Sequence, residues 1–188
     1  IVALTGMPGA GKTTVANFLS HKGIALLVMG DVVREAAETN GLAPTSHNLT
    51  KLMLNLRKKN GPGAVAHLVV NKIKLMKKQD EQLRAVIVDG IRSMAEVQVL
   101  KRIGSVKLLA IHGSTFTRYR HIRERGRSDV PSNEHEFDKR DKIEMEVGIS
   151  SAIALADETI SNNDISKSEL CKQSFIAVQK WIQEVTKR

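Results

Sequence analysis

Residues Gly6-Met7-Pro8-Gly9-Ala10-Gly11-Lys12-Thr13 follow the apolar run Ile1-Val2-Ala3-Leu4-Thr5 and spell G-x-x-x-x-G-K-[ST], the Walker A phosphate loop. This stretch constrains the fold more than any other, because the loop needs a strand before it and a helix after it. Both are present: Ile1 to Leu4 is a short apolar, mostly β-branched run, and Thr13 to Leu19 carries apolar residues at helical spacing, with Gly23 just beyond. Gly6, Gly9 and Gly11 let the backbone turn sharply, so that successive N–H groups and the positive end of the next helix meet at one point. Such a nest holds phosphate oxygens. Lys12 is placed to reach the β and γ phosphates, and the Thr13 hydroxyl to ligate an accompanying Mg²⁺. Pro8, Ala10 and Thr14 complete the expected nucleotide-binding set. The pattern taken as an ordinary glycine turn does not explain the flanking strand and helix.

At 188 residues and 41% hydrophobic, the chain fits a single domain with a real core and room for a small inserted lobe. Its one cysteine, Cys171, excludes an internal disulfide and any multi-cysteine zinc site, and its six histidines show no H-E-x-x-H spacing. A reducing intracellular setting is expected. The sequence opens on a strand without a basic, apolar leader and holds no bilayer-length apolar run, so a soluble cytoplasmic protein without membrane association is expected. The formal net charge of +9 points to an anionic partner. RNA is the first suspicion, but four Phe, one Trp and one Tyr offer few platforms for base stacking. A nucleotide accounts for the charge equally well. The sequence sets no oligomeric state.

A second apolar segment, Ala25 to Met29, closes on Gly30-Asp31 and leads to a helical pattern from Val32, with Asp31 as the expected N-cap. Thr45 or Ser46 is suited to start a helix over 49–59, Asn60-Gly61-Pro62-Gly63 ends it, and 64–78 reads as a further helix whose lysines form a solvated face. Helices inserted between two strands make an expected lobe beside the sheet. Arg84 to Gly90 holds four apolar residues ending in Asp89, the form of a Walker B strand, which would put that carboxylate beside the phosphate loop to hold Mg²⁺. Ser93 and Glu96 form a capping box, leaving Arg92 in the strand-to-helix turn at the carboxyl edge of the sheet. Val106 to His112 reads as another strand, and Ser114 caps a helix bearing Arg118, Arg120, Arg123 and Arg125, followed by Arg127. Not all five fit one helix face, so some must be solvated. A loop over 130–133, a long helix from about 137 to 156, a fifth strand over 158–161 and an amphipathic helix over 165–185 complete the chain. Five strands separated by helices imply an α/β fold around a parallel sheet.

The segments T-G-M-P-G-A-G-K-T (5–13), M-G-D-V-V-R (29–34), V-D-G-I-R-S (88–93) and R-G-R-S-D (125–129) together resemble the adenylate-kinase-like P-loop nucleoside monophosphate kinases, most closely an archaeal group of nucleotide kinases related to dephospho-CoA kinase. The resemblance spans nearly the whole chain. It implies a three-layer α/β P-loop kinase fold with sheet order 2-3-1-4-5, an acceptor-binding lobe at about 31–80 and a lid at about 126–140. It further implies Mg²⁺-dependent transfer of the ATP γ-phosphoryl group to a nucleoside monophosphate. Within it, Arg34 and Arg92 match arginines that grip the acceptor phosphate, with Asp31 beside them. Arg125, Arg127 and Arg140 resemble lid arginines that join Lys12 in catalysis. His121 stands where the family commonly stacks an arginine on the donor base. The turn Asp89-Gly90-Ile91-Arg92 is one residue shorter than the D-G-F-P-R of typical adenylate kinases.

Three other readings stand beside this one. A regulatory GTPase would need a D-x-x-G switch and an N-K-x-D motif, and Asn71-Lys72-Ile73-Lys74 lacks the acid. A binding module would dock its basic surface on RNA or a ribosomal protein with little turnover. A hydroxyl kinase of the dephospho-CoA kinase type would keep the donor chemistry and change the acceptor, with Asp31 as the candidate base.

Overall fold

The computed structural model describes residues 1–125, 131 and 133–186. Its strands are β1 (Val2–Thr5), β2 (Ala25–Val28), β3 (Val86–Ile91), β4 (Lys107–His112) and β5 (Glu158–Ser161). All pair in parallel, in the order β2-β3-β1-β4-β5. Helix α1 (Lys12–His21) follows β1, and α2 (Met29–Thr39), α3 (Ser46–Asn60) and α4 (Ala64–Gln79) lie between β2 and β3. Helix α5 (Met94–Lys101) links β3 to β4, α6 (Thr115–Arg125), α7 (Glu134–Val147) and α8 (Ile149–Ala154) link β4 to β5, and α9 (Lys167–Thr186) ends the chain.

The three layers follow from the two-residue period of the strands. Ala3, Val86, Val88 and Leu108 pack against α2, α4, α5 and α8. Their neighbours Val2, Leu4, Ile87 and Leu109 face the other way, against α1 and α9. Both faces are therefore apolar, as a sheet buried between helices requires. The register sets Leu4 opposite Asp89 on one side and Leu109 on the other, and sets Val28 opposite Asp89. The carboxyl ends of the central strands thus open together, and the Thr5 hydroxyl donates to the Ile91 carbonyl at 2.9 Å to tie them.

The caps form mostly where the sequence places them. Thr45, Ser93 and Ser114 each accept a backbone N–H of the first turn of α3, α5 and α6. Glu96 completes its box one residue early, accepting the Arg92 N–H at 2.7 Å. Two expectations are corrected. Asp31 is not the N-cap of α2: β2 runs into the helix at Met29 with no loop between them, Val28 stands at the cap position, and Asp31 lies in the first turn. Starting at Met29 puts Met29, Val32, Val33 and Ala37 on one buried face, and that burial outweighs a side-chain cap. The long helix expected from 137 to 156 is two helices. Asn133 caps α7 by accepting the Glu136 N–H at 3.0 Å, and Gly148, at φ +108°, separates α7 from α8. A side chain at Gly148 would be strained there, and its Cβ would stand 3.6 Å from the Ser93 Cβ. The α7–α8 joint therefore rests on the turn that carries Arg92. No helix among the described residues is long and apolar enough to cross a membrane.

Candidate active site

The phosphate loop is held from outside by side chains far away in sequence. Asn162, at the end of β5, donates to the Ala10 carbonyl at 2.9 Å, and Arg118 of α6 donates to the Pro8 carbonyl at 3.1 Å. The His121 ring nitrogen lies 3.1 Å from the Gly9 carbonyl. Three successive carbonyls are thereby occupied, and of the loop's amides that of Ala10 donates to the Met7 carbonyl at 3.1 Å, which leaves the others for an anion. Gly11 adopts φ +108°, and a Cβ there would meet the Asn162 amide nitrogen at 2.6 Å, so no other residue fits that turn. Lys12 folds back over the loop, donating to the Gly6 and Met7 carbonyls at 2.6 and 3.2 Å. Burial pushes its ammonium pKa down, while the carboxylates of Asp89 and Glu144 oppose that shift.

Two cavities meet at this loop. The smaller, about 360 Å³, is lined by Gly6, Pro8, Gly9, Thr13, Thr14 and His121 among others. The larger, about 1000 Å³, extends beneath α2, α3 and α7 and is lined by Arg34, Met53, Leu54, Arg57 and Asp89 among others. Lys12, Gly90, Arg92, Arg140 and Glu144 line both. The structure thus brings together Lys12, Thr13, Arg34, Asp89, Arg92 and Arg140 of the sequence-derived set. Asp31 does not line the larger cavity: its carboxylate pairs with Arg34, and both side chains are about half exposed. Of the other arginines expected in a lid, Arg127 lies outside the described residues, as do 126, 128–130 and 132, and the Arg125 side chain is likewise outside them.

Asp89 is buried toward the end of β3, and among the described residues its Oδ1 has no hydrogen-bond partner. Burial pushes its pKa up, opposed chiefly by the Lys12 ammonium. A buried carboxylate oxygen without a donor is the hard oxygen ligand that Mg²⁺ prefers, and Lys12 lines both the larger cavity that Asp89 enters and the smaller one that Thr13 enters. Thr13 and Asp89 fit that ion, whose chemical contribution when bound is to neutralise charge on phosphate oxygens.

The sequence reading gave no role at the site to four residues that the structure places at or beside it. Glu144 of α7 is nine-tenths buried, and its Oε2 lies 3.2 Å from the Arg92 Nε without forming a well-aligned hydrogen bond. Glu96 is fully buried and accepts from Arg57 at 3.2 Å as well as from the Arg92 backbone. Burial raises its pKa, with those two donors opposing. Arg118, grouped in the sequence with the possibly solvated arginines, is buried and bidentate to Asp141 at 2.9 and 2.5 Å, with its guanidinium 4.9 Å from the Phe137 ring centroid. Asn162 had no local signal at all.

An AAA domain family model matches residues 5–138. A UPF0200 protein of the archaeon Pyrococcus abyssi is 44% identical over 168 residues, covering 87% of this chain and 88% of that one. Among solved structures, TT1252 from Thermus thermophilus superposes with a TM-score of 0.70 at 18% identity over 95% of each chain. A shikimate kinase from Acinetobacter baumannii in complex with shikimate gives 0.56 at 15% identity, covering 95% of this chain and 92% of that one. At such identities these two likenesses speak for the fold alone. With the sheet order, the phosphate loop and the relatives in agreement, the chain belongs to the UPF0200 family and carries the P-loop kinase fold.

Proposed function

We propose that this protein transfers the γ-phosphoryl group of ATP, with Mg²⁺, to the phosphate of a nucleoside monophosphate. One observation carries the reading: Lys12, Arg92 and Arg140 line both cavities where they meet, and Arg34 lines the larger beyond them. Phosphoryl transfer needs two anions brought in line and the developing charge neutralised, with little covalent help. On this reading the smaller cavity takes ATP, with the phosphates on the loop amides and Lys12 and the base toward His121. The larger cavity takes the acceptor, its phosphate gripped by Arg34 and Arg92. Arginine suits both tasks, because its planar fork binds phosphate oxygens bidentately and stays charged when water is excluded. Arg140, with Arg125 and Arg127 before it, belongs to the lid of a single domain whose acceptor lobe is 31–80. Closure of that lid would keep water from intercepting the phosphoryl group.

A hydroxyl acceptor would need a base within about 3 Å of the attacking oxygen. Asp31, the sequence candidate, is half exposed, paired with Arg34 and not among the residues that line the cavity, although its charge reaches Asp89 and helps to raise that carboxyl's pKa; the pairing with Arg34 favours the phosphate acceptor. RNA as principal partner is not favoured, since the cations noted here converge on cavities of small-molecule size. The test is a coupled assay for ADP release with ATP against a panel of nucleoside monophosphates and dephospho-CoA. Turnover is expected with at least one monophosphate and none with dephospho-CoA. Lys12→Ala should abolish that turnover with no loss of thermal stability. Near-native turnover in that variant would end the phosphate-loop assignment.

A further inference from the structure

We propose that Glu144 sets the affinity of Arg92 for the acceptor anion: its carboxylate occupies the acceptor phosphate's place at Arg92 and is displaced when that phosphate binds. The inference rests on the reading of the larger cavity as the acceptor site. Three observations carry it. The Arg92 guanidinium spends its donors on poor acceptors, a carboxylate oxygen at 3.2 Å without hydrogen-bond alignment and the Met53 sulfur at 3.7 Å. Glu144 is nine-tenths buried, yet its Oε2 has no hydrogen-bond partner among the described residues, a state that buried carboxylates ordinarily avoid. Both residues line the two cavities at their junction, so an arriving phosphate meets Arg92 and Glu144 together.

A phosphate offers the Arg92 fork two oxygens and twice the charge, so it outcompetes a misaligned carboxylate. Glu144 then loses its partner beside a dianion and must withdraw. Four residues on, the Gly148 joint rests against the Arg92–Ser93 turn, so α7 breaks close to the arginine that the phosphate engages. One turn earlier on α7, Asp141 stays fixed by its bidentate pair with Arg118. Glu144 is thus a positioning residue. It keeps a cluster of cations from capturing stray anions while leaving them open to a better one.

The experiment titrates inorganic phosphate calorimetrically into protein saturated with Mg²⁺ and a non-hydrolysable ATP analogue, so that the phosphate loop is already filled. Glu144→Gln keeps the volume and removes the competing charge, and phosphate should bind about threefold to fivefold more tightly, the size expected of a partly exposed ion pair. Arg92→Ala should weaken binding by at least the same factor. Glu144→Asp, which draws the charge back by one methylene, should fall between wild type and Glu144→Gln, and it serves if the glutamine variant does not fold. In turnover, Glu144→Gln should lower the acceptor KM by a larger factor than it changes the ATP KM, a split that a merely structural role would not give. Equal or weaker phosphate binding in Glu144→Gln, with Arg92→Ala weakened as expected, overturns the role of Glu144 alone. If Arg92→Ala also binds phosphate as wild type does, the acceptor reading of the cavity falls with it.

Discussion

Helix α7 carries two carboxylates one turn apart, and each faces an arginine from another element, but the two pairs are built in opposite ways. Asp141 and Arg118 form a bidentate pair at 2.9 and 2.5 Å, both side chains are mostly buried, and the same guanidinium also serves the Pro8 and Gly113 carbonyls and stacks on Phe137. Glu144 and Arg92 touch at 3.2 Å without alignment, and Arg92 is about one-third exposed to the cavity. In the first pair each nitrogen of the Arg118 guanidinium donates to an acceptor of the protein itself. In the second, donors and an acceptor oxygen are left over. The difference separates a joint from a site: satisfied charges rigidify, while unsatisfied ones wait for a ligand at a cost to stability.

Breaking the joint should give the largest effect. Arg118→Ala leaves Asp141 buried without its partner and releases the Pro8 carbonyl, so a loss of about 3 to 5 kcal/mol is expected. For a chain of this size that lowers Tm by roughly 10 °C or more, read by calorimetry. Arg92→Ala should cost less, about 1 to 2 kcal/mol in the same measurement, because the pair it breaks is misaligned and its guanidinium is about one-third exposed, although Glu144 is left buried. Equal losses in the two variants would erase the distinction between joint and site.

Asp89 extends the comparison, since it too keeps an unpaired buried oxygen at the site. Its folded-state pKa is raised, so ionisation opposes folding: the cost is fully present above the folded pKa and is relieved as pH falls through it toward the unfolded value. At neutral pH and without divalent cations, Asp89→Asn should therefore raise stability by about 1 to 2 kcal/mol, while turnover is lost. Adding Mg²⁺ with ATP should raise the Tm of the wild type and leave that of the variant nearly unchanged. A variant less stable than wild type would mean that Asp89 is held by the fold and does not await a cation.

The same division explains what the sequence made legible. The phosphate loop, the Walker B strand and the caps at Thr45, Ser93 and Ser114 each lie within a few consecutive residues, where spacing dictates conformation. Sheet order came from resemblance, because pairing between strands tens of residues apart leaves no local trace. The Arg118–Asp141, Arg92–Glu144 and Asn162–Ala10 contacts join residues 23 to 152 positions apart. On α7, moreover, Asp141 and Glu144 stand among so many charged neighbours that nothing local distinguishes them from a solvated face. The break at Gly148 was hidden for another reason: one glycine costs a helix only about 1 kcal/mol, too little to decide between a break and a continuous helix. Asp31 misled because a carboxylate ahead of an apolar run is a sound cap signal, and only the burial of Met29 moved the helix start upstream.

Asp31 supplies the smallest effect and the sharpest choice between acceptors. Its pair with Arg34 resembles neither of those on α7, since both side chains are about half exposed and lie three residues apart on one helix. Such pairs contribute about 0 to 1 kcal/mol. With a phosphate acceptor, Asp31 is only a competitor for Arg34, and its loss frees that guanidinium for the incoming anion. Asp31→Asn should then hold kcat within about threefold, lower the acceptor KM slightly and leave Tm within a degree or two. With a hydroxyl acceptor the same carboxylate would have to take a proton in the transition state, and its removal would cost about 10² to 10⁴ in rate. Steady-state kinetics across the acceptor panel separates the two, because neither stability nor ATP binding depends on Asp31. A hundredfold loss of kcat with unchanged Tm would make Asp31 the base of a hydroxyl kinase. Retained activity would leave Arg34 and Arg92, with Glu144 between ligand and helix, as the residues that define what this cavity accepts.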